Sequence, residues 1–552
     1  MTLRTITALL LLAAGLNLTA QTRPVAAPRS AAVLPRATPP LVVLIVVDQF
    51  RGDYVPWYGH QWTRGLRRLV DTGAYFPLAA YRYAVTLTCA GHSTIGTGAY
   101  PRTHGMIANE WFDRDAKKRV TCTDDPSAAP VGFGGLPAKE RHGSRMLQTN
   151  TFADELRNQS PVAPRITSVS LKARSAIGMA GHAGDLVAWL EDTGAWASSS
   201  AFVRQPRPDV DAFANAHAIS AQYGRVWNRL LAPSAYLFSD EGVGEQKPDD
   251  GTVLFPHAQT RPGGAPDQTF VTNWERTPFI DEMLTDMALT FSEGFGTGAG
   301  TDVLAVSYSA LDYVGHRYGP KSHEVQDVLA RLDVQLGRLL DNLDRRVGAG
   351  RYVVAFSSDH GVAPIPEQVT ALGLDAGRFT AASVNARLID AWKPFATDAV
   401  SPIANSNGTD IYFTPAAMAV LETNAVARKA LSDAALSLPG VGKTYWASDL
   451  DAGVTGSDPV RDALALSFYR GRSADLVLVA RQHWMTSSGG TTHGTPYTYD
   501  QRVPVILMGW GIKAGRYLTS SAPVDIAPTL AYLSHVSLPR AEGRVLSEAV
   551  IR

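Results

Sequence analysis

Cysteine is nearly absent: the 552 residues contain two, Cys89 and Cys122. Two cysteines cannot build a disulfide framework, so the fold must rest on an apolar core. An oxidising compartment permits a Cys89–Cys122 bond, and the sequence leaves that bond open. Net charge is absent too, with Lys plus Arg at 51 and Asp plus Glu at 51. No strong positive field invites nucleic acid or an anionic membrane surface, so neither partner is expected. Beyond the N-terminus no apolar run is long enough to span a bilayer, and no stable membrane insertion is expected. Internal repeats, coiled-coil heptads and any mark of an oligomeric interface are likewise missing. What remains is ordinary globular composition, 45% hydrophobic and 18% charged, with ample material for a large core.

The N-terminus carries a short positive start (Arg4), an apolar run over residues 6–16 and small residues at Thr19 and Ala20. This reads as a signal peptide over residues 1–20, which implies a periplasmic or secreted protein. Residues 21–40, rich in Ala, Pro, Arg and Thr, read as a flexible tether. The fold then opens with Leu41–Val47, a continuous β-branched apolar run of the kind that forms a central strand buried on both faces. Asp302–Tyr308 and residues 351–356 and 503–508 repeat the pattern. Helical periodicity falls between them, over residues 62–72, 278–292 and 324–346. Strands alternating with helices predict an α/β class with a central mixed, mostly parallel sheet flanked by helices. Residues 41–552 are expected to form one catalytic domain, with cap insertions near 185–267 and 364–490.

Polar residues gather where the buried runs end. Asp48 follows the first, Asp312 and His316 follow the second, Asp359 and His360 follow the third, and His493 precedes the fourth. Ligands of open α/β sheets bind outside the carboxyl ends of strands, so a site belongs here. Three carboxylates and three imidazoles suit zinc, while other divalent ions remain compatible. Asp312 and His316, four apart, would share one face of a helical turn. Six donors exceed what one tetrahedral ion needs, which favours a pair. Each residue taken alone is more simply a turn or cap; the signal lies in their joint placement.

Thr86 and Thr88 precede a predicted helix starting near Cys89. A helix amino terminus suits a phosphate, and a metal-bound threonine hydroxyl can act as a nucleophile. Helix capping is the plainer alternative, and composition does not choose between Thr86 and Thr88. Lys172 and Arg174 follow the apolar stretch 166–171. If that segment is extended, the two side chains share a face and suit a phosphoryl group with two free charges, although such a pair is more often a solvated face.

Seven motifs occur in order: Val-Val-Asp-Gln-Phe-Arg, Thr-Cys-Ala-Gly-His-Ser, Gly-Met-Ile-Ala-Asn-Glu-Trp, Leu-Lys-Ala-Arg, Asp-Tyr-Val-Gly-His, Ser-Asp-His-Gly and Thr-His-Gly-Thr. Together they resemble the alkaline phosphatase superfamily, and within it the bacterial threonine-nucleophile, phosphate-irrepressible alkaline phosphatases, relatives of the nucleotide pyrophosphatase/phosphodiesterases. The resemblance implies two Zn²⁺ per chain. Asp312, His316 and His493 would hold one; Asp48, Asp359, His360 and the nucleophile Thr88 would hold the other. It further implies that Asn109, Lys172 and Arg174 hold the phosphoryl oxygens of small phosphate esters, which are cleaved through a phosphothreonine. A nucleotide pyrophosphatase/phosphodiesterase is the nearest rival and resembles the chain less at Lys172 and Arg174. A sulfatase would need a Cys-x-Pro-x-Arg motif, whereas Cys89 is followed by Ala90, Gly91 and His92. A glycolytic phosphoglycerate mutase would not carry a secretory signal. A non-catalytic phosphate- or metal-binding relative would be expected to have lost ligands, and none is missing.

Overall fold

A seven-residue apolar strand needs a neighbour on each edge and a helical layer on each face, and the computed structural model supplies both. It describes residues 37–248, 252–260, 264–396 and 400–551. The expected signal peptide and residues 21–36 of the expected tether lie outside the described residues. The last tether residues are tied down: Pro40 O accepts from Asp302 N at 3.0 Å and Pro39 O from the Thr301 hydroxyl at 2.7 Å.

The central sheet has ten strands. They are β1 (Leu41–Val47), β2 (Ala74–Phe76), β3 (Pro130–Gly132), β4 (Ile166–Ser170), β5 (Leu186–Leu190), β6 (Trp196–Ser199), β7 (Asp302–Tyr308), β8 (Val353–Ser357), β9 (Val505–Gly509) and β10 (Gly515–Arg516). Their order is β10-β2-β9-β8-β1-β7-β4-β5-β6-β3. The middle run β8-β1-β7-β4-β5 is parallel, while β9 and β6 pair antiparallel at its two sides. This is the mixed, mostly parallel α/β sheet that the sequence predicts. Along β1, Leu41, Val43, Ile45 and Val47 enter one apolar core and Val42, Leu44 and Val46 the other. Alternate side chains thus face opposite layers, which is why the run is apolar throughout.

Six helices matter to the argument: α1 (Gly65–Thr72), α2 (Thr88–Thr97), α3 (Ala173–Ala180), α4 (Phe279–Phe291), α5 (Ala310–Tyr318) and α6 (His323–Arg346). Helices α4 and α6 fall within a residue of the periodic segments. Helix α1 starts at Gly65 rather than 62, because the Asp333 carboxylate of α6 accepts from the N–H groups of Thr63, Arg64 and Arg67 and fixes its start from a distance. Strand β9 begins at Val505, after Pro504, which has no N–H to give a ladder.

Two expectations are corrected. Residues 186–199, placed in an insertion, belong to the central sheet as β5 and β6; their aromatic, hairpin-like composition hid a buried strand. Lys172 and Arg174 do not sit on an extended segment. Strand β4 stops at Ser170, Lys172 is the N-cap of α3, and Arg174 lies in its first turn. Within 364–490, Ile403–Ser406, Asp410–Phe413, Leu476–Ala480 and Val441–Trp446 form a second, antiparallel sheet over its own core, which includes Leu388, Leu431 and Trp446.

Candidate active site

Three parallel strands deliver the carboxylates. Asp48 leaves β1, its N–H bonded to Tyr308 O at 2.8 Å. Asp312 rises on the first turn of α5 after β7, and Asp359 follows β8. All three are buried. Two groups form: Asp312, His316 and His493, and Asp48, Asp359 and His360, each with its donor atoms within 4.8 Å of one another.

The imidazoles show what these groups are suited to hold. His316 Nδ1 lies 2.8 Å from Thr491 O, His493 Nδ1 2.8 Å from Thr86 O, and His360 Nδ1 2.9 Å from Gly361 O. A carbonyl only accepts, so each Nδ1 carries a proton, which leaves Nε2 as the ring nitrogen that a metal could take. Those Nε2 atoms turn inward. His316 Nε2 is 3.1 Å from Asp312 Oδ1, and His360 Nε2 is 3.2 Å from Asp359 Oδ2 and 3.4 Å from Asp48 Oδ1. Asp48 Oδ1 and Asp359 Oδ2 are buried without a hydrogen-bond donor. In the Asp48, Asp359 and His360 group these orphaned oxygens fit a cation; the Asp312, His316 and His493 group offers the same donor types, with both Asp312 oxygens already accepting from Gln49 and Lys172.

Burial, then the Asp312 and Asp359 carboxylates, lifts Asp48 to about 7. Burial opposes ionisation of Asp312 and Asp359 too, but Lys172 and His316 hold Asp312 low, while His360 and His92 hold Asp359 low. His360 rises to about 9 against its burial, through Asp359 and Asp48, whereas burial and its imidazole neighbours push His493 down.

Thr88 opens α2, and its Oγ1 is 3.5 Å from His360 Nε2. Thr86 faces elsewhere: its hydroxyl donates to Thr495 O at 3.2 Å. Asn109 reaches the same helix end, its Oδ1 accepting from Cys89 N at 2.9 Å and its carbonyl from Cys122 N at 2.9 Å. Cys89 and Cys122 form a disulfide, so the Asn109 segment is stapled beside Thr88. Lys172 is buried, with Nζ 2.5 Å from both Asp48 Oδ2 and Asp312 Oδ2 and over the Tyr313 ring at 4.8 Å. Arg174 is half-buried, and its Nε has no partner.

The structure therefore brings together all three carboxylates, all three imidazoles, Lys172, Thr88 and, through the start of α2, Asn109. Two further residues carry no functional signal in the sequence beyond lying inside the motifs. His92, one turn after Thr88, bonds Thr88 O at 2.9 Å and Ser307 Oγ at 2.8 Å and faces Asp359 Oδ2 at 3.3 Å. Gln49 donates to Asp312 and Asp359.

Fold and site together define an alkaline phosphatase-like α/β enzyme with two Asp/His groups that could each hold a metal ion. The chain belongs to the type I phosphodiesterase / nucleotide pyrophosphatase family, whose model matches residues 42–500. It is 30% identical to alkaline phosphatase PafA of Elizabethkingia meningoseptica, over 93% of this chain and 95% of that one. It is 32% identical to alkaline phosphatase PhoK of Sphingomonas sp, over 92% and 91%. The crystal structure of PafA superposes with a TM-score of 0.83 at 29% identity, covering 93% of this chain and 99% of that one.

Proposed function

We propose that the chain is an alkaline phosphatase that hydrolyses phosphate monoesters to alcohol and inorganic phosphate, through a phosphothreonine on Thr88 at a two-zinc site. The observation that carries this reading is a pair of buried Asp/His donor groups, one of which, through His360, lies 3.5 Å from the helix-terminal hydroxyl of Thr88. Similarity along nearly the whole chain to relatives named alkaline phosphatases supports the choice of monoesters. Asp312, His316 and His493 would hold one ion; Asp48, Asp359, His360 and Thr88 would hold the other. When bound, the pair supplies a lowered hydroxyl pKa and neutralises charge on the leaving oxygen.

The rest of the chemistry belongs to the chain. Thr88 Oγ1 attacks phosphorus in line; the Oγ1–P bond forms as the ester P–O bond breaks, and the alkoxide leaves to be protonated. Water then cleaves the phosphothreonine, releasing phosphate and restoring the hydroxyl. The amino end of α2 directs its dipole and free N–H groups at the phosphoryl oxygens. Asn109, with Oδ1 engaged by Cys89, has its amide N–H groups left for one of them. Lys172 and Arg174 would hold phosphoryl oxygens of the monoester; Arg174 serves one that is free only in a monoester, so a diester gains less from it, while Lys172 also holds Asp48 and Asp312.

Residues 1–20 as a signal peptide and 21–40 as a tether would place the enzyme in the periplasm or outside the cell. No helix among the described residues is long and apolar enough to cross a membrane. Residues 41–552 would be the catalytic domain, with residues 364–490 and the later part of 185–267 as its cap. A phosphodiesterase is the second reading, favoured by the family model. The test is kcat/KM for p-nitrophenyl phosphate against its bis-ester on zinc-loaded protein. A ratio far above one supports the monoesterase, and a ratio below one moves the chain to the diesterase branch. Activity indifferent to chelators would sink the metal assignment.

A further inference from the structure

One buried amide joins the two ligand groups. Gln49 follows Asp48 at the end of β1, is fully buried and takes φ 68°, a left-handed conformation that side chains other than glycine adopt rarely. In that conformation its backbone N–H donates to Asp359 Oδ1 at 3.1 Å. Its Nε2 donates to Asp312 Oδ1 at 2.7 Å and approaches Asp312 O at 3.4 Å. Both Asp312 atoms are acceptors, so the amide nitrogen has to face them. Asp359 belongs to one donor group and Asp312 to the other, and Asp48 is the preceding residue. On its far side Oε1 has no partner and fills the space where a side chain at Gly315 would begin. The glycine between Asp312 and His316 therefore makes room for this amide.

We propose that Gln49 is a positioning residue that sets Asp312 of one ligand group against Asp359 of the other, and so fixes the relation between the two metal positions. The inference rests on the two-metal reading above. An unfavourable backbone conformation persists where surrounding contacts over-determine it, and here those contacts are bonds to a ligand carboxylate in each group. Hydrogen bonds from outside the coordination sphere orient ligands and commonly tune metal affinity by 10–100-fold.

Gln49→Gly is the informative variant. Glycine accepts φ 68° and keeps the N–H on Asp359, so only the amide on Asp312 is removed. Metal-free protein would be titrated with Zn²⁺ against a chromophoric chelator, and with Co²⁺ while its visible bands are followed. Wild-type protein is expected to take two equivalents. In Gln49→Gly one affinity should fall about 10–100-fold and one cobalt band set should change, with the other site unaltered. Gly315→Ala, which presses on the amide from behind, should weaken the same site. With p-nitrophenyl phosphate, kcat should fall while KM holds, because Arg174 is untouched. Fewer than two equivalents in wild type would overturn the two-metal reading and this inference with it. Two equivalents in wild type with both affinities retained in Gln49→Gly would overturn this inference alone, and a lowered melting temperature in that case would mark a packing role.

Discussion

Lys172 and Arg174 look interchangeable in sequence and are not so in the structure, which predicts different failures when each is removed. Lys172 Nζ touches Asp48 and Asp312, one carboxylate from each ligand group. Arg174 touches neither and keeps an unpartnered Nε. Arg174→Ala should therefore remove one charge-assisted contact to a monoester oxygen and leave the ligand groups alone. Such a contact contributes about 1.5–3 kcal/mol, or roughly 10- to 150-fold in kcat/KM. The bis-ester, lacking that free oxygen, should lose little. Lys172→Ala releases two buried ligand carboxylates as well as any phosphoryl contact, so both substrates should suffer, with zinc affinity falling too. The assay is kcat/KM for p-nitrophenyl phosphate and its bis-ester in each single variant, after zinc occupancy has been measured. Equal losses on both esters in Arg174→Ala would refute the reasoning, as would a Lys172→Ala enzyme impaired on the monoester alone.

Thr88→Ala should lower turnover by roughly 10⁴-fold or more while two metals remain bound, since the Asp and His donors are untouched; near-normal rates would move the nucleophile elsewhere. Breaking the disulfide with Cys122→Ser should reduce kcat towards that of Asn109→Ala and lower the melting temperature, because closing a loop of this length contributes about 4 kcal/mol. Unchanged kinetics would show that the Cys89 and Cys122 N–H bonds hold Asn109 unaided. His104 is fully buried, with Nδ1 accepting from Met106 N and Nε2 near the Thr94 hydroxyl, and burial followed by Arg472 lowers its pKa to about 3. The unfolded chain takes up the proton near pH 6.5 and the folded chain does not, so this contribution is complete above pH 6.5 and declines as pH falls towards 3. Between pH 6.5 and 5 the loss is about 2 kcal/mol. His104→Gln should flatten the pH slope of the melting temperature relative to wild type, and parallel slopes would exclude His104 as its source.

Legibility followed the range over which each feature is decided. The limits of β1 and β7 match the apolar runs because a strand buried on both faces declares itself by local composition. Most members of the two Asp/His groups were legible in the same way, as Asp and His following the buried apolar runs. The start of α1 was not, because Asp333, some 270 residues away, decides it. Strands β5 and β6 were lost to aromatic content that a loop and an edge hairpin share. Gln49 was invisible because its meaning lies in partners 263 and 310 positions distant.

The Lys-x-Arg pair is the instructive error. Two residues apart share a face on a strand, but on a helix they point roughly 200° apart. The structure escapes both descriptions: Lys172 is an N-cap with extended dihedrals, φ −108° and ψ 126°, and Arg174 is already helical. The break in conformation between them lets Lys172 reach Asp48, just past β1, and Asp312, on the first turn of α5, while Arg174 is carried by α3. Their different duties thus follow from where β4 ends, a boundary that the stretch Ile-Thr-Ser-Val-Ser-Leu-Lys-Ala-Arg does not mark. An insertion that carried the strand through residue 174 would restore the shared face and, on this reasoning, take the lysine away from Asp48 and Asp312.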